Sequence, residues 1–234
     1  MSDVPELFIS ACARVDLSLS TPQLETLSRY VEDVLEVNRR MNLTAARDAE
    51  TVWMRHVFDS LLLMPYLKSD TDQRALDLGS GGGFPGLVLA IVRPDMRWTL
   101  VDSVGKKARF LGEEAERLGL ENVEASSERA EVLGRDPAYR GQYHVVTARA
   151  VARLNVLLEL TVPLLRRGGH LLAMKGEKAP EEIKEARRAE DMLKVRRLRE
   201  DAQPGGGFLL DYKKNAPTPD RYPRAVGVPG QKPL

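Results

Sequence analysis

Apolar residues recur at helical spacing through the first third of the chain. Leu24, Leu27, Val31, Val34 and Leu35 share one face, and Thr21 followed by Pro22 supplies an N-cap and first-turn pair. Asp48 opens a second helix, with Trp53, Val57, Phe58, Leu61 and Leu62 on one side, ending near Pro65. Between the two, Asn38-Arg-Arg-Met-Asn-Leu-Thr44 has no clear period. Beyond residue 70 the pattern changes to short apolar runs alternating with helical stretches. Strands are predicted at 75–78, 98–101, 123–125, 144–148 and 170–174, and helices at about 85–92, 105–118, 127–133, 153–165 and 180–192. Such alternation predicts a parallel sheet with helices on both faces, the doubly wound α/β arrangement. Residues 195–199 and 208–212 flank Pro204-Gly-Gly-Gly207 and read as a terminal antiparallel hairpin. The charge-rich stretch 176–200 also admits a long exposed helix, and the tail from Arg221 reads as irregular. The expected organisation is an N-terminal helical extension, 1–70, and an α/β domain, 71–234.

Composition narrows the function classes. The 234 residues are 43% hydrophobic and 29% charged, as in an ordinary globular protein. Cys12 is the sole cysteine, and His56, His144 and His170 stand far apart, so neither a disulfide framework nor a metal site is expected. No apolar run approaches the roughly 20 residues that span a bilayer. The acidic start lacks the basic region of a signal peptide, so the expected location is the cytoplasm. Net charge is only +1, but it is unevenly spread. Residues 1–36 hold seven acidic and two basic side chains, and residues 194–234 hold nine basic and four acidic ones. A localised basic face is compatible with this asymmetry, as is scattered solvated charge.

The candidate chemistry centres on Asp77-Leu-Gly-Ser-Gly-Gly-Gly-Phe-Pro-Gly86, between a predicted strand and a predicted helix. Glycines at 79, 81 and 83 allow a sharp turn and close ligand approach. Pro85 suits a first helical turn, and the helix N-terminus can offer N–H groups to an anion. Asp102, at the end of the next strand, can accept hydrogen bonds from both ribose hydroxyls of an adenosine cofactor. Two cofactors fit. Gly81-Gly-Gly-Phe-Pro-Gly86 satisfies the GxGxxG fingerprint of a nicotinamide dinucleotide. An acid two residues before the first glycine, and the helix-to-strand turn Leu164-Leu-Arg-Arg-Gly-Gly-His-Leu-Leu172, favour S-adenosylmethionine instead. So does the lack of room for a separate dehydrogenase substrate domain.

With these motifs in order, the chain resembles the RsmG (GidB) family of bacterial methyltransferases, which act on guanine N7 in 16S small-subunit ribosomal RNA. The resemblance is carried by Asn38–Thr44, His56-Val-Phe-Asp-Ser-Leu61, the glycine loop, Leu100-Val-Asp-Ser-Val-Gly-Lys-Lys-Ala-Arg-Phe-Leu111, Arg149-Ala150, Lys175-Gly176 and Arg221-Tyr-Pro-Arg224. It implies a seven-stranded Rossmann-like class I methyltransferase sheet with a helical cap. The cofactor implied is S-adenosylmethionine, with S-adenosylhomocysteine as product. Cofactor contacts are implied at Gly79, Phe84, Ala130, Glu131 and Arg149, with Asp102 on the ribose; Gly81 joins them from its place in the loop. The expected substrate is small-subunit rRNA or the 30S subunit, with no obligatory protein partner and a monomeric state.

Guanine N7 is an unprotonated acceptor, so in-line attack on a sulfonium methyl needs alignment and no general base. The motif residues fit this. Cys12 lies in the N-terminal extension, away from where a C5-pyrimidine methyltransferase needs its nucleophile. Thr147-Ala-Arg-Ala150 stands where an amine methyltransferase usually carries an Asn/Asp-Pro-Pro-aromatic motif. Arg149, and more distantly Lys175, end strands at the edge where ligands bind, and are the candidate catalytic residues. Candidate RNA contacts are Arg39, Arg40, Lys106, Lys107, Arg221 and Arg224, with Arg109, Arg153, Lys213 and Lys214 as further basic residues. His56, Asp59 and Ser60 share a helix face that suggests a hydrolase triad, but triad members converge from different elements, so this face is expected to pack on the sheet or border the cleft. Trp53 and Phe58 are expected in the core, and His144 and His170 in structural roles. The alternatives to a methyltransferase are an NAD-dependent oxidoreductase and a non-catalytic RNA-binding or regulatory protein with a vestigial pocket.

Overall fold

The computed structural model describes residues 4–68 and 72–234. The boundary expected between 70 and 71 lies outside the described residues. α1 (Glu6–Arg14) is followed by α2 (Thr21–Met41). The N-cap of α2 is Ser20 rather than Thr21. Its hydroxyl accepts the Gln23 N–H at 3.4 Å, and the Gln23 carboxamide oxygen accepts the Ser20 N–H at 2.9 Å, a reciprocal capping box. Asp48 caps α3 (Ala49–Val52) as expected, accepting the Thr51 N–H at 2.7 Å. The second helix is not uniform, however. α3 runs into a π-helical segment, Trp53–Phe58, then α4 (Asp59–Leu61) and a 3-10 turn at Met64–Tyr66. Trp53, Val57, Phe58 and Leu61 are all buried, as the apolar spacing predicts.

The remaining elements alternate as expected: β1 (Arg74–Leu78), α5 (Gly86–Val92), β2 (Arg97–Val101), α6 (Gly105–Arg117), β3 (Val123–Ser126), α7 (Ala130–Leu133), β4 (Tyr143–Arg149), α8 (Leu154–Thr161) and β5 (Leu165–Lys175). α9 (Ala179–Leu193), β6 (Val195–Ala202), β7 (Phe208–Lys214) and α10 (Val228–Gln231) complete the chain. Strand order is β3-β2-β1-β4-β5-β7-β6. The first five strands are parallel, and β7 runs antiparallel to both β5 and β6. The hairpin is present, and the long helix admitted over 176–200 stops at Leu193, where Lys194 adopts the left-handed conformation (φ 61) and the chain turns into β6. Two further expectations are corrected. β5 starts at Leu165, five residues before the predicted strand, with α8 ending at Thr161; and the tail contains α10.

Both faces of the sheet are covered. On one, Phe8, Leu27, Tyr30, Val34, Trp53 and Leu61 from the N-terminal helices join Leu87, Trp98, Leu100 and Phe110 in one core. On the other, Leu76, Val146 and Leu171 meet Leu133, Leu154, Leu158 and Ile183. Burial on this scale, at about 25 cal/mol per Å² of apolar area, is what holds the N-terminal helices on the sheet. No described helix is long and apolar enough to cross a membrane, and no described group of His, Cys, Asp and Glu is placed to hold a metal ion.

Candidate active site

The order of strands reverses at β1 and β4, and their C-terminal ends frame the crevice where open α/β sheets bind ligands. The glycine loop leaves β1 at this edge. Gly79 (φ 71), Gly81 (φ 58) and Gly83 (φ 97) are all left-handed, a conformation that side-chain-bearing residues avoid. A Cβ at Gly79 would lie 2.6 Å from Val151 Cγ2.

Most of the loop's N–H groups are engaged within the protein, contrary to the expectation that they await an anion. Those of Gly79 and Ser80 donate to the Val101 carbonyl, and those of Gly83 and Phe84 to the Ser80 carbonyl. Two carboxylates take two more: Asp102 Oδ2 accepts the Gly81 N–H at 2.9 Å, and Asp77 Oδ2 the Gly86 N–H at 3.1 Å. Carboxylates therefore stand where a dinucleotide's pyrophosphate would need donors. Pro85 also sits at the cap position, with the helix starting at Gly86. Asp77 is fully buried and additionally accepts the Thr147 hydroxyl at 2.7 Å. Burial pushes its pKa up to about 6, against the pull of these hydrogen bonds.

Two hollows open at this edge. The first, about 300 Å³, is lined by Gly79, Gly81, Asp102, Ala130, Glu131 and Val151, among others. Asp102 accepts two backbone N–H groups, from Gly81 and Val104, leaving lone pairs on both oxygens for other donors. The Glu131 side chain accepts the Gly227 N–H at 2.9 Å through Oε1, which anchors the tail beside this hollow. The second hollow, about 220 Å³, is lined by Asp59, Arg149, Lys175, Gln203 and Phe208, and it meets the first at Ala150. Arg149 lies 5.4 Å over the Phe84 ring and donates to the Arg55 carbonyl at 3.1 Å. Desolvation lowers its pKa, opposed by the charges of Asp59 and Asp77. Burial raises that of Asp59, opposed by Arg149 and Arg55.

Several sequence-derived residues stand elsewhere than expected. Phe84 is not part of the first hollow; it packs between Tyr30, His56 and Arg149. Lys175 is 8% exposed and pairs with Glu182 at 2.7 Å while donating to the Ala152 carbonyl. Arg224 is turned inward onto fully buried Glu159 through Nε and Nη2, so it is a structural ion pair and not a free RNA contact. Lys214 is likewise buried, donating to the Val162 and Leu165 carbonyls, with its pKa pressed down to about 8 by desolvation. Arg153 pairs with Glu185 and Arg40 with Glu36. Arg39, Lys106 and Arg221 are exposed and Lys107 half-buried. His56, Asp59 and Ser60 form no triad. Ser60 donates to the His56 backbone carbonyl, and His56 Nε2 bonds Thr44. Burial takes the His56 pKa down to about 4, with Arg149 adding to the effect. His144 and His170 hold backbone and Asp211 contacts, respectively. Sequence reasoning missed Tyr30, whose hydroxyl donates to the Gly82 carbonyl at 2.5 Å, and the left-handed backbone (φ 56) of Ala150, which lines both hollows.

Solved structures share this architecture. The O-methyltransferase from Bacillus cereus, in complex with S-adenosylhomocysteine, superposes with a TM-score of 0.56 at 20% identity, covering 80% of this chain and 91% of that one. A SAM-dependent methyltransferase from Aquifex aeolicus gives 0.55 at 15% identity, over 78% and 98%. Fold and site define the class: an S-adenosylmethionine-dependent methyltransferase with a Rossmann-like sheet. The glycine loop, the Asp102 lone pairs and the backbone at Ala130 and Glu131 suit an adenosine, and the engaged loop N–H groups suit a cofactor without phosphates. Within that class, the model of the rRNA small subunit methyltransferase G (GidB) family matches residues 23–203, and the chain belongs to this family. The proteins called ribosomal RNA small subunit methyltransferase G from Streptococcus gordonii and Lactococcus lactis are each 40% identical to it, over 98% of this chain and 99% of theirs. Nothing in these matches favours the oxidoreductase or the vestigial-pocket reading.

Proposed function

We propose that this chain methylates N7 of a guanosine in small-subunit rRNA, with the target base in the hollow lined by Asp59 and Arg149. One observation carries the proposal: a carboxylate and a guanidinium face each other in a cleft that joins the cofactor hollow at Ala150. Guanine presents donors on its N1/N2 edge and acceptors at O6 and N7. Asp59 can accept from the first edge and Arg149 can donate to O6. Adenine has neither the N1–H nor the O6. S-adenosylmethionine supplies the electrophilic methyl group when bound.

N7 carries no proton, so the chain's task is to position the base and exclude water, which can supply roughly 7–11 kcal/mol. Arg149 is held by the Arg55 carbonyl and the Phe84 face, so its guanidinium is fixed before substrate arrives. Lys175 is a positioning residue: its pairing with Glu182 ties the end of β5 to α9 and shapes the floor of the cleft. Exposed Arg39, Lys106 and Arg221, with Lys107, contribute phosphate contacts around the mouth. The match to small subunit methyltransferase G proteins over nearly the whole chain supports the choice of rRNA.

The test is transfer of a labelled methyl group to small-subunit rRNA, followed by nucleoside mass mapping. Wild type yields 7-methylguanosine with a rate flat across pH 6–9. Asp59→Asn loses at least about tenfold in rate with unchanged S-adenosylhomocysteine affinity, because one charged hydrogen bond is lost. Methylation of an exocyclic amine, or a rate tracking a single deprotonation, would refute the proposal.

A further inference from the structure

At the opposite end of the sheet, a pocket of about 220 Å³ gathers Lys68, His144, Arg166, His170, Arg199 and Asp211. It lies far from the cofactor. His144 is the second residue of β4 and Arg149 the last, which separates pocket and active site by roughly 17 Å at the rise of an extended strand.

The polar groups of the pocket are mainly donors. His144 Nδ1 accepts the Arg74 N–H at 3.1 Å, which fixes the ring proton on Nε2 in the neutral imidazole. The carboxylate in the lining, Asp211, is turned onto His170 Nδ1 at 2.7 Å. Arg199 is held 5.5 Å over the ring of Tyr66, and the Tyr66 hydroxyl in turn is fixed by Asp201. Lys68, Arg166 and Arg199 form no ion pair among the described residues, unlike Arg93, Arg153 and Arg224, each of which has a carboxylate. Three cations with no ion pair among the described residues, around a concave site with a fixed imidazole N–H, make a receptor for a tetrahedral anion.

We infer that this pocket binds a phosphate group, and that in the working enzyme it is a backbone phosphate of the RNA strand that reaches around the sheet from the active site. The identity of the strand rests on the proposed rRNA substrate; the phosphate chemistry does not. Both faces of β4 are covered, so the strand passes over the molecular surface and its path is longer than β4 itself. The contact fixes the strand without reading its bases.

Two measurements on the full chain test this, with Arg166→Gln/Arg199→Gln as the variant. The first titrates inorganic phosphate while following the imidazole nitrogens; with three histidines in the chain the spectrum is readily assigned. The His144 signal is expected to shift in wild type and not in the variant. The second measures small-subunit rRNA binding against salt. The slope of log K on log salt is expected to fall by roughly 0.7 for each phosphate that the variant no longer neutralises, while S-adenosylhomocysteine affinity is unchanged. A reduced slope supports an RNA phosphate, with or without the shift. A shift with an unchanged slope supports phosphate binding and overturns the RNA source. No shift and an unchanged slope overturn the inference entirely. Wild type that binds no rRNA refutes the proposed substrate and leaves the phosphate titration readable.

Discussion

Asp77→Asn isolates the electrostatic cost built into the glycine loop. Asp77 is fully buried, and one of its oxygens holds the Gly86 N–H while the other holds the Thr147 hydroxyl. Its pKa rises from an ordinary 3.8 to about 6. That rise corresponds to about 3 kcal/mol. The sign follows from proton binding. The folded state holds the proton more tightly than the unfolded one, so between about pH 4 and pH 6 the wild type loses stability as pH rises. That loss is complete above pH 6, when both states are ionised. Asparagine keeps the shape: its oxygen can still accept from Gly86, and Thr147 can turn to accept from its amide. The variant cannot ionise, so its stability relative to wild type should rise by up to about 3 kcal/mol across this interval. Urea unfolding at pH 4 to 8 measures it. With an m-value near 3 kcal/mol/M, the difference in midpoint should change by about 1 M. Parallel curves for the two proteins would refute the account, because then the carboxylate is not strained by burial.

Other perturbations follow from the same geometry. Asp102→Ala should weaken S-adenosylhomocysteine binding about 10–100-fold in calorimetry, through loss of charged hydrogen bonds, and an unchanged dissociation constant would remove Asp102 from the ribose. Gly79→Ala forces a left-handed alanine, at roughly 1–2 kcal/mol, and pushes its methyl onto Val151; stability and cofactor affinity should fall together. Arg224→Ala leaves Glu159 buried without its partner and should cost about 3 kcal/mol, roughly 6–12 °C in melting temperature, with methyl transfer intact below the transition.

The order of strands and helices was legible because it rests on local periodicity. Ala75 to Leu78 and Trp98 to Val101 are short, mainly apolar runs, and the structure starts each one residue earlier. The glycine loop and Asp102 were legible for the same reason: a sharp turn at a strand end demands particular residues at fixed offsets. What escaped depends on partners distant in sequence. Arg224 reads as one more surface cation until Glu159, 65 residues away, is found beneath it. A hint was available, since Glu159 is the one charged residue in the Leu154–Thr161 helix. Lys214 hides in the same way beneath two carbonyls that no local pattern reveals. The π-helical turn at Trp53–Phe58 also left no trace, because one extra residue per turn preserves the apolar face over so short a span. The packing of Phe84 against Tyr30 and His56 was not legible, because these two belong to helices whose pose no spacing rule fixes.

The Tyr30 hydroxyl reaches 52 residues along the chain to grip the Gly82 carbonyl, and the helix that carries it completes the core on one face of the sheet. The leading helices are thus part of the scaffold that shapes the donor loop. A shortened protein starting at β1 would keep every fingerprint residue of its class and still lack the wall against which that loop is formed. Trimming this chain to its recognisable motif would therefore yield an unfinished enzyme rather than a smaller one.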